Sequence, residues 1–357
     1  MTREKYHLKT TMQAITKPER APGFLIREVP VPECGPDDVL VKVLAASVCG
    51  TDVHIYTWDD WASARLKPPL TIGHEFAGII EKVGSNVRRV KPGDFVSAES
   101  HIICGRCLQC RTGQFHTCQN VKILGVDTNG CFAEYVAVPE NNIWVNDPHL
   151  PPYLASAQEP LGNAVFATLV EPVTAASVAI FGCGPTGLCA AAVAKAAGAA
   201  LVVAIDVNPY RLDLAARMGA YVTLNPLEDD VVGELKRRTD GNGVDVVIEM
   251  SGNPQAINQG LEAIRLGGRF TAFGLPSKPV TIDVAEKIIF KGTRFLGVSG
   301  RRMFETWYQV AALLRTERLN LAPLVTHKFP MSEVDEAMQV MQSGQSGKVV
   351  LMVEPAH

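Results

Sequence analysis

Along residues 12–146 the apolar positions fall in short runs rich in Val, Ile and Phe, as in Asp38 to Val48 and Phe76 to Val83, and Pro or Gly cuts each run off. β-Branched and aromatic residues in runs of this length, bounded by turn formers, read as strands, so this half is expected to be mostly β. The turn Lys91-Pro92-Gly93-Asp94 then delivers the chain into a strand from Phe95 to Ser97. From Pro151 to about Val170 the rhythm changes. Leu154, Ala157, Leu161, Val165 and Leu169 recur at spacings of three and four, the period of a helix, and this stretch is expected to bridge two domains. Beyond Ala175 strand and helix alternate, with strands expected at Ser177 to Phe181, Leu201 to Ile205, Tyr221 to Leu224, Val244 to Ile248, Arg269 to Phe273 and Arg294 to Val298. That alternation marks a parallel sheet covered by helices, and six strands suit a doubly wound α/β domain. The last stretch, Arg302 to His357, opens with a helix through Phe304, Trp307, Val310, Ala311 and Leu314 and ends in a strand at Lys348 to Val353. It is expected to return to the first domain.

Composition narrows the class. A chain of 357 residues with 47% hydrophobic and 20% charged residues can bury the cores of two domains. Net charge is −3 and no long run of Lys or Arg occurs, so the phosphate-neutralising surface of a nucleic-acid binder is not expected. No apolar run approaches the roughly 18 residues of a membrane span, and Met1 to Thr11 is polar and mixed in charge, so no membrane partner and a cytoplasmic location are expected. Nine cysteines, an odd number with no secretion signal, point to metal ligands and buried thiols rather than disulfides.

Four of those thiols, Cys104, Cys107, Cys110 and Cys118, stand close together. Four thiolates at Zn–S distances of about 2.3 Å close a tetrahedral structural site. A second constellation combines Cys49-Gly50-Thr51-Asp52-Val53-His54 with Gly73-His74-Glu75. A thiolate and a neutral imidazole suit a catalytic zinc, which needs a third protein ligand and one open position. Glu159, in Gln158-Glu159-Pro160, is the candidate for the third ligand, and Glu75 is a spare carboxylate. Gly182-Cys183-Gly184-Pro185-Thr186-Gly187 lies between an apolar strand and an Ala-rich helix, the context in which such glycines cradle a pyrophosphate at a helix N-terminus. Asp206 closes the next strand, where a carboxylate accepts from adenosine ribose hydroxyls and selects NAD. Thr51 reads either as a helix cap or as the first member of a proton relay, and His54 as a surface side chain or the second. His101 is open in the same way, and Tyr56, Trp58 and Trp61 read as core or as substrate wall.

Cys49, Gly73-His74-Glu75, the four-cysteine lobe and Gly182 to Gly187, in this order, resemble the zinc-dependent medium-chain dehydrogenases over nearly the whole chain. Within that family the resemblance is to the branch that oxidises L-threonine. It rests on Cys49 to Tyr56 with Trp58 and Trp61, Leu161-Gly162-Asn163-Ala164-Val165, Phe304-Glu305-Thr306-Trp307-Tyr308, and Ser343 to Lys348. The resemblance implies a GroES-like catalytic domain over residues 1–160 and 302–357, with the structural-zinc lobe at about 99–120, and a Rossmann domain over 161–301. It implies two zinc ions per subunit, NAD, a homotetramer and oxidation of L-threonine to 2-amino-3-oxobutanoate. Cys49, His74 and Glu159 become catalytic-zinc ligands, with Glu75 an intermittent or outer carboxylate, and Thr51 and His54 become the relay. His101 becomes a histidine near the substrate. Gly182, Gly184, Pro185, Thr186 and Gly187 hold the pyrophosphate, Asp206 and Arg211 the adenosine end, and Leu296, Val298 and Arg301 the nicotinamide side. A polyol or butanediol dehydrogenase shares these motifs and is the alternative within the class; a non-catalytic NAD-binding relative is the alternative outside it. Phe166 stands where related enzymes often carry His or Asp, which bears on the substrate range.

Overall fold

The alternating runs of the first half close into antiparallel sheets in the computed structural model, which describes residues 9–353; the outermost parts of the expected catalytic domain, 1–8 and 354–357, lie outside the described residues. The central strand of a seven-stranded sheet is Asp38–Ser47. One of its edges pairs along its length with Glu75–Val83. The other is shared: Tyr135–Pro139 takes the half at Asp38 to Lys42, and Lys348–Met352 takes Ala45 to Ser47. The last strand therefore returns from the far end of the chain to the point where Asp38–Ser47 runs out, and this register positions the site. Ser47 lies opposite Glu75 on one side and Val350 on the other, so Lys348, two residues before Val350, falls beside Cys49, two residues after Ser47. The Val48 N–H donates to the Val349 carbonyl at 2.9 Å and secures this alignment. A three-stranded sheet of Leu25–Pro30, Thr11–Lys17 and Leu70–Thr71 flanks it.

Residues 177–297 form a six-stranded parallel sheet: Ser177–Phe181, Leu201–Ile205, Val222–Leu224, Val244–Glu249, Ile264–Ala272 and Arg294–Gly297. Their spatial order is third, second, first, fourth, fifth, sixth, the doubly wound order whose reversal point opens a crevice beside the first strand. The fifth strand starts five residues earlier than the pattern suggests. The strand is expected to begin at Arg269, yet the helix Pro254–Ala263 runs directly into it at Ile264, and a register shift between Val244 and Val246 absorbs the extra residues.

The bridge is two helices, Pro152–Ala155 and Gln158–Leu169, broken at Ser156 and Ala157. The break places Pro160 in a first turn, where its missing N–H costs no hydrogen bond, and Glu159 at a helix N-terminus, where the dipole favours a carboxylate. Leu161, Ala164 and Val165 pack into the core with Val178, Ile180, Leu188 and Ala191. The other end is held by Arg269, fully buried in the sheet, whose Nη1 and Nη2 donate to the carbonyls of Glu171 and Thr168 at 2.6 and 2.8 Å. No described helix is long and apolar enough to cross a membrane.

Candidate active site

Where the central strand ends, Cys49 becomes the N-cap of the helix Gly50–Thr57. Its N–H donates to Asp52 Oδ2 at 2.8 Å, so the cap is made by Asp52 and not by Thr51, whose Oγ1 lies 3.8 Å from Cys49 Sγ. Gly73 has φ +89°, and a Cβ there would overlap the Phe132 ring, so only glycine lets the chain turn His74 inward. Glu75 opens the next strand. Ligand atoms of Cys49, His74 and Glu75 all lie within 4.8 Å of one another, as do the thiols of Cys104, Cys107, Cys110 and Cys118.

Both clusters fit a metal ion. In the four-cysteine lobe the sulfurs of Cys107 and Cys110 are 3.5 Å apart, Cys107 and Cys118 3.8 Å, and Cys118 and Cys104 3.6 Å. Four sulfurs about 2.3 Å from a tetrahedral zinc stand about 3.8 Å from each other. Hydrogen bonds from the Arg106 N–H, Asn120 and the Cys107 N–H bring the Cys104 thiol down to about 6, which favours the thiolate a metal needs. At the second cluster the argument is charge. Asp52, Glu75, Glu99 and Glu159 are all buried, with the buried cations Lys348 and Arg301 against them, and Asp52 Oδ1 and His74 Nδ1 have no hydrogen-bond partner among the described residues. Burial pushes His74 down, but Asp52, Cys49 and Glu75 outweigh it and raise the imidazole to about 10. That proton marks the place of a cation, and a dication ligated by Cys49, His74 and Glu75 would offset the excess negative charge.

Glu159, expected as the third ligand, accepts through Oε1 from Ser100 Oγ and Arg301 Nη1, each at 2.7 Å. Burial works against its ionisation, yet Arg301 and then His74 hold its carboxyl down at about 2. The carboxylate grouped with Cys49 and His74 is Glu75, which Lys348 Nζ meets at 2.8 and 2.6 Å. Arg301, expected beside the nicotinamide, is 1% exposed, and its guanidinium holds both Glu99 oxygens, Asn163 Oδ1, Ser100 Oγ and Glu159. That leaves only its backbone for the cofactor. Trp307 Nε1 also donates to Glu99 Oε2, at 2.9 Å. His101 lies beside this cluster, its Nδ1 4.0 Å from Glu99 Oε1 and its ring against Gly300; burial and the Arg301 charge hold it below the ordinary imidazole range, hence neutral.

Asp52, Glu99 and Lys348 escaped the reading of the residues themselves. Each had a signal: a charged residue inside or beside an apolar run must find a partner when the run is buried. Phe166 lies one turn after Asn163 and two turns after Glu159 on the same helix face, and packs edge-to-face on His116 of the cysteine lobe with the Arg302 guanidinium over its ring.

In the nucleotide crevice, Gly182 has φ +94° and Gly187 lies so close to the Gly182 carbonyl that no side chain fits. A Cβ on Gly184 would meet nothing, which leaves open the space a pyrophosphate takes at the N-terminus of the helix Pro185–Ala196, where no side chain caps the N–H groups of Thr186 and Gly187. Asp206 is anchored by the N–H groups of Cys183 and Asn208, at 2.6 and 2.9 Å, and with Arg211 lines a cleft of about 270 Å³. Leu296 is half-buried at the end of the sixth strand and Val298 is buried just beyond it.

Comparison with known proteins shows the family. The alcohol dehydrogenase GroES-like domain matches residues 35–148 and the zinc-binding dehydrogenase domain residues 185–316. The L-threonine 3-dehydrogenase of Symbiobacterium thermophilum is 56% identical over 96% of this chain and 98% of its own, and that of Bacillus subtilis is 52% identical over 96% and 98%. Among solved structures, the alcohol dehydrogenase TADH of Thermus sp. ATN1 superposes with a TM-score of 0.89 at 30% identity, covering 96% of this chain and 100% of that one. Identity at this level, over almost the full length of both partners, is the mark of common descent, and the chain belongs to the zinc-dependent medium-chain dehydrogenases.

Proposed function

We propose that the protein oxidises the secondary hydroxyl of L-threonine to 2-amino-3-oxobutanoate, using NAD and two zinc ions per subunit, one catalytic and one structural. The observation that carries this reading is the similarity, above 50% identity over nearly the whole chain, to enzymes named L-threonine 3-dehydrogenase. Zinc at Cys49, His74 and a carboxylate supplies Lewis acidity that makes a hydroxyl easier to deprotonate, and NAD supplies the hydride acceptor. The chain's own residues do the rest. Thr51 and His54 carry the hydroxyl proton toward solvent, the glycine turn and helix N-terminus hold the pyrophosphate, and the neutral ring of His101 faces the substrate. Cys104, Cys107, Cys110 and Cys118 hold the structural ion. The family resemblance supports a cytoplasmic homotetramer.

A metal ion held by Cys49 and His74 would engage only the hydroxyl end of threonine, so rejection of plain alcohols requires separate contacts to its ammonium and carboxylate. L-Threonine is therefore expected to be oxidised far faster than 2-butanol, which keeps the alcohol and lacks both charges, and His101→Ala is expected to narrow that gap. Comparable kcat/KM for 2-butanol or sorbitol in initial-rate assays would favour the butanediol or polyol reading.

Nucleotide choice follows from Asp206. A carboxylate about 4 Å from a 2′-phosphate repels each unit of its charge by roughly 4 kcal/mol at an effective dielectric of 20. NAD is thus expected to be strongly preferred to NADP, and Asp206→Ala to reduce the preference, with Arg211 then free to face the phosphate. Equal kcat/KM for the two nucleotides in the unaltered enzyme would count against this assignment.

A further inference from the structure

We propose that Asp59 is a positioning residue for His54, fixing the imidazole with its proton on Nδ1 so that Nε2 is the atom that receives the substrate's proton. The proposal rests on the reading of His54 as the relay histidine and names the group that makes it competent.

The backbone builds this contact. The helix Gly50–Thr57 stops at Trp58, which adopts a left-handed conformation (φ 56°, ψ 51°) with its N–H returning to the His54 carbonyl. That reversal places Asp59 beside the last turn, as the N-cap of the next helix, Asp60–Arg65. The two carboxylate oxygens then have separate tasks. Oδ1 accepts from the Ala62 N–H at 3.0 Å, and Oδ2 lies 2.5 Å from His54 Nδ1. Although its slight burial works the other way, the hydrogen bonds from Ala62 and His54 hold Asp59 below the usual carboxylate range, so it stays an acceptor. A group that only accepts must face the N–H of the ring, and the lone pair is left on Nε2. The Trp61 ring, 5.9 Å from the imidazole and tilted by 53°, walls one side.

Thr51 precedes His54 by three residues and so shares its helix face, one turn nearer Cys49. The His54 side chain is 58% exposed, which lets it discharge to water. In the relay the substrate hydroxyl gives its proton to the Thr51 oxygen as the Thr51 proton passes to Nε2. The imidazolium then releases a proton to solvent; NAD, when bound, would supply the hydride acceptor. Asp59 exchanges no proton at any stage.

Asp59→Ser keeps an N-cap acceptor for Ala62 but is too short to reach His54. Asp59→Asn keeps the cap oxygen and turns an N–H toward Nδ1, which forces the proton onto Nε2. Steady-state kinetics of both variants, of His54→Ala and of the doubly substituted His54→Ala, Asp59→Ser enzyme decide the matter. His54→Ala is expected to lower kcat by about 100-fold, the scale of a lost proton-transfer group. Asp59→Ser is expected to lower it at least about 10-fold, with KM for NAD and L-threonine within about twofold and an unchanged thermal midpoint, and Asp59→Asn to give the pH–rate profile of His54→Ala. In the His54→Ala background Asp59→Ser should add nothing. Wild-type kcat in Asp59→Ser and Asp59→Asn, or a loss from Asp59→Ser that is equal in both backgrounds, overturns the role of Asp59. A His54→Ala enzyme with wild-type kcat and pH profile instead overturns the relay on which it rests.

Discussion

Cys49→Ser is expected to cut turnover by more than the ~10–100-fold typical of an outer-shell change at a metal site, while the thermal midpoint stays within a few degrees. Cys107→Ser is expected to do the reverse, lowering the midpoint by at least about 5 °C with the residual activity per folded molecule largely kept. The difference lies in what each cluster does for the fold. Cys49, His74 and Glu75 sit at the ends of strands already held by the pairing of Asp38–Ser47 with Glu75–Val83 and Lys348–Met352. The lobe around Cys104 to Cys118 has a four-residue helix at Leu108–Arg111 and a single 3₁₀ turn, and three of its buried or half-buried contacts are between sulfurs. A closed tetrahedral ion there would replace a hydrophobic core. Metal analysis of the replete enzyme should return two zinc ions per chain, and each variant should lose one. One zinc or none in the unaltered protein would sink the assignment.

Arg301→Leu is expected to destabilise the fold by about 3–5 kcal/mol, because it leaves buried carboxylates without their cation. The guanidinium meets Glu99 through Nε and Nη2 and Glu159 through Nη1, and all three residues are at most 6% exposed. Urea unfolding should show the loss in the midpoint with the slope retained. The pH dependence has a definite sign. Glu159 titrates at about 2 in the folded protein against an ordinary 4.5, so its contribution is complete above about 4.5 and disappears as pH falls toward 2. The stability gap between the unaltered protein and Arg301→Leu should therefore be widest near neutrality and shrink across that acid window. A midpoint equal to that of the unaltered protein at pH 7 would show that the cluster does not stabilise the fold as argued.

Much of the architecture was legible because it is local. Runs of Val and Ile between glycines and prolines become strands whatever surrounds them, and all six parallel strands lie where their apolar runs do, with ends shifted by a few residues. The four-cysteine spacing and the Gly182 to Gly187 turn are likewise local, since a loop of a few residues wraps one ion or one phosphate. Boundaries were less legible. The fifth strand, expected from Arg269, starts at Ile264 with a shifted register, and the bridge breaks at Ser156, because packing against the neighbouring sheet sets where an element stops.

The charged residues of the site divide along the same line. Composition and spacing alone determined that Cys49, His74 and two nearby or distant carboxylates were candidates for one metal, since softness and charge are properties of side chains. Which carboxylate joins them is decided by tertiary structure. Strand register carries Lys348 to Cys49 and Glu75, and the turn after the sixth strand brings Arg301 to Glu159, so that each acid meets its own buried cation, while Glu75 is the one grouped with Cys49 and His74. No window of sequence contains both partners of either pair: Glu75 and Lys348 are 273 residues apart. A buried charge is tolerated only where its counter-charge arrives, and that is known only once the sheets have closed.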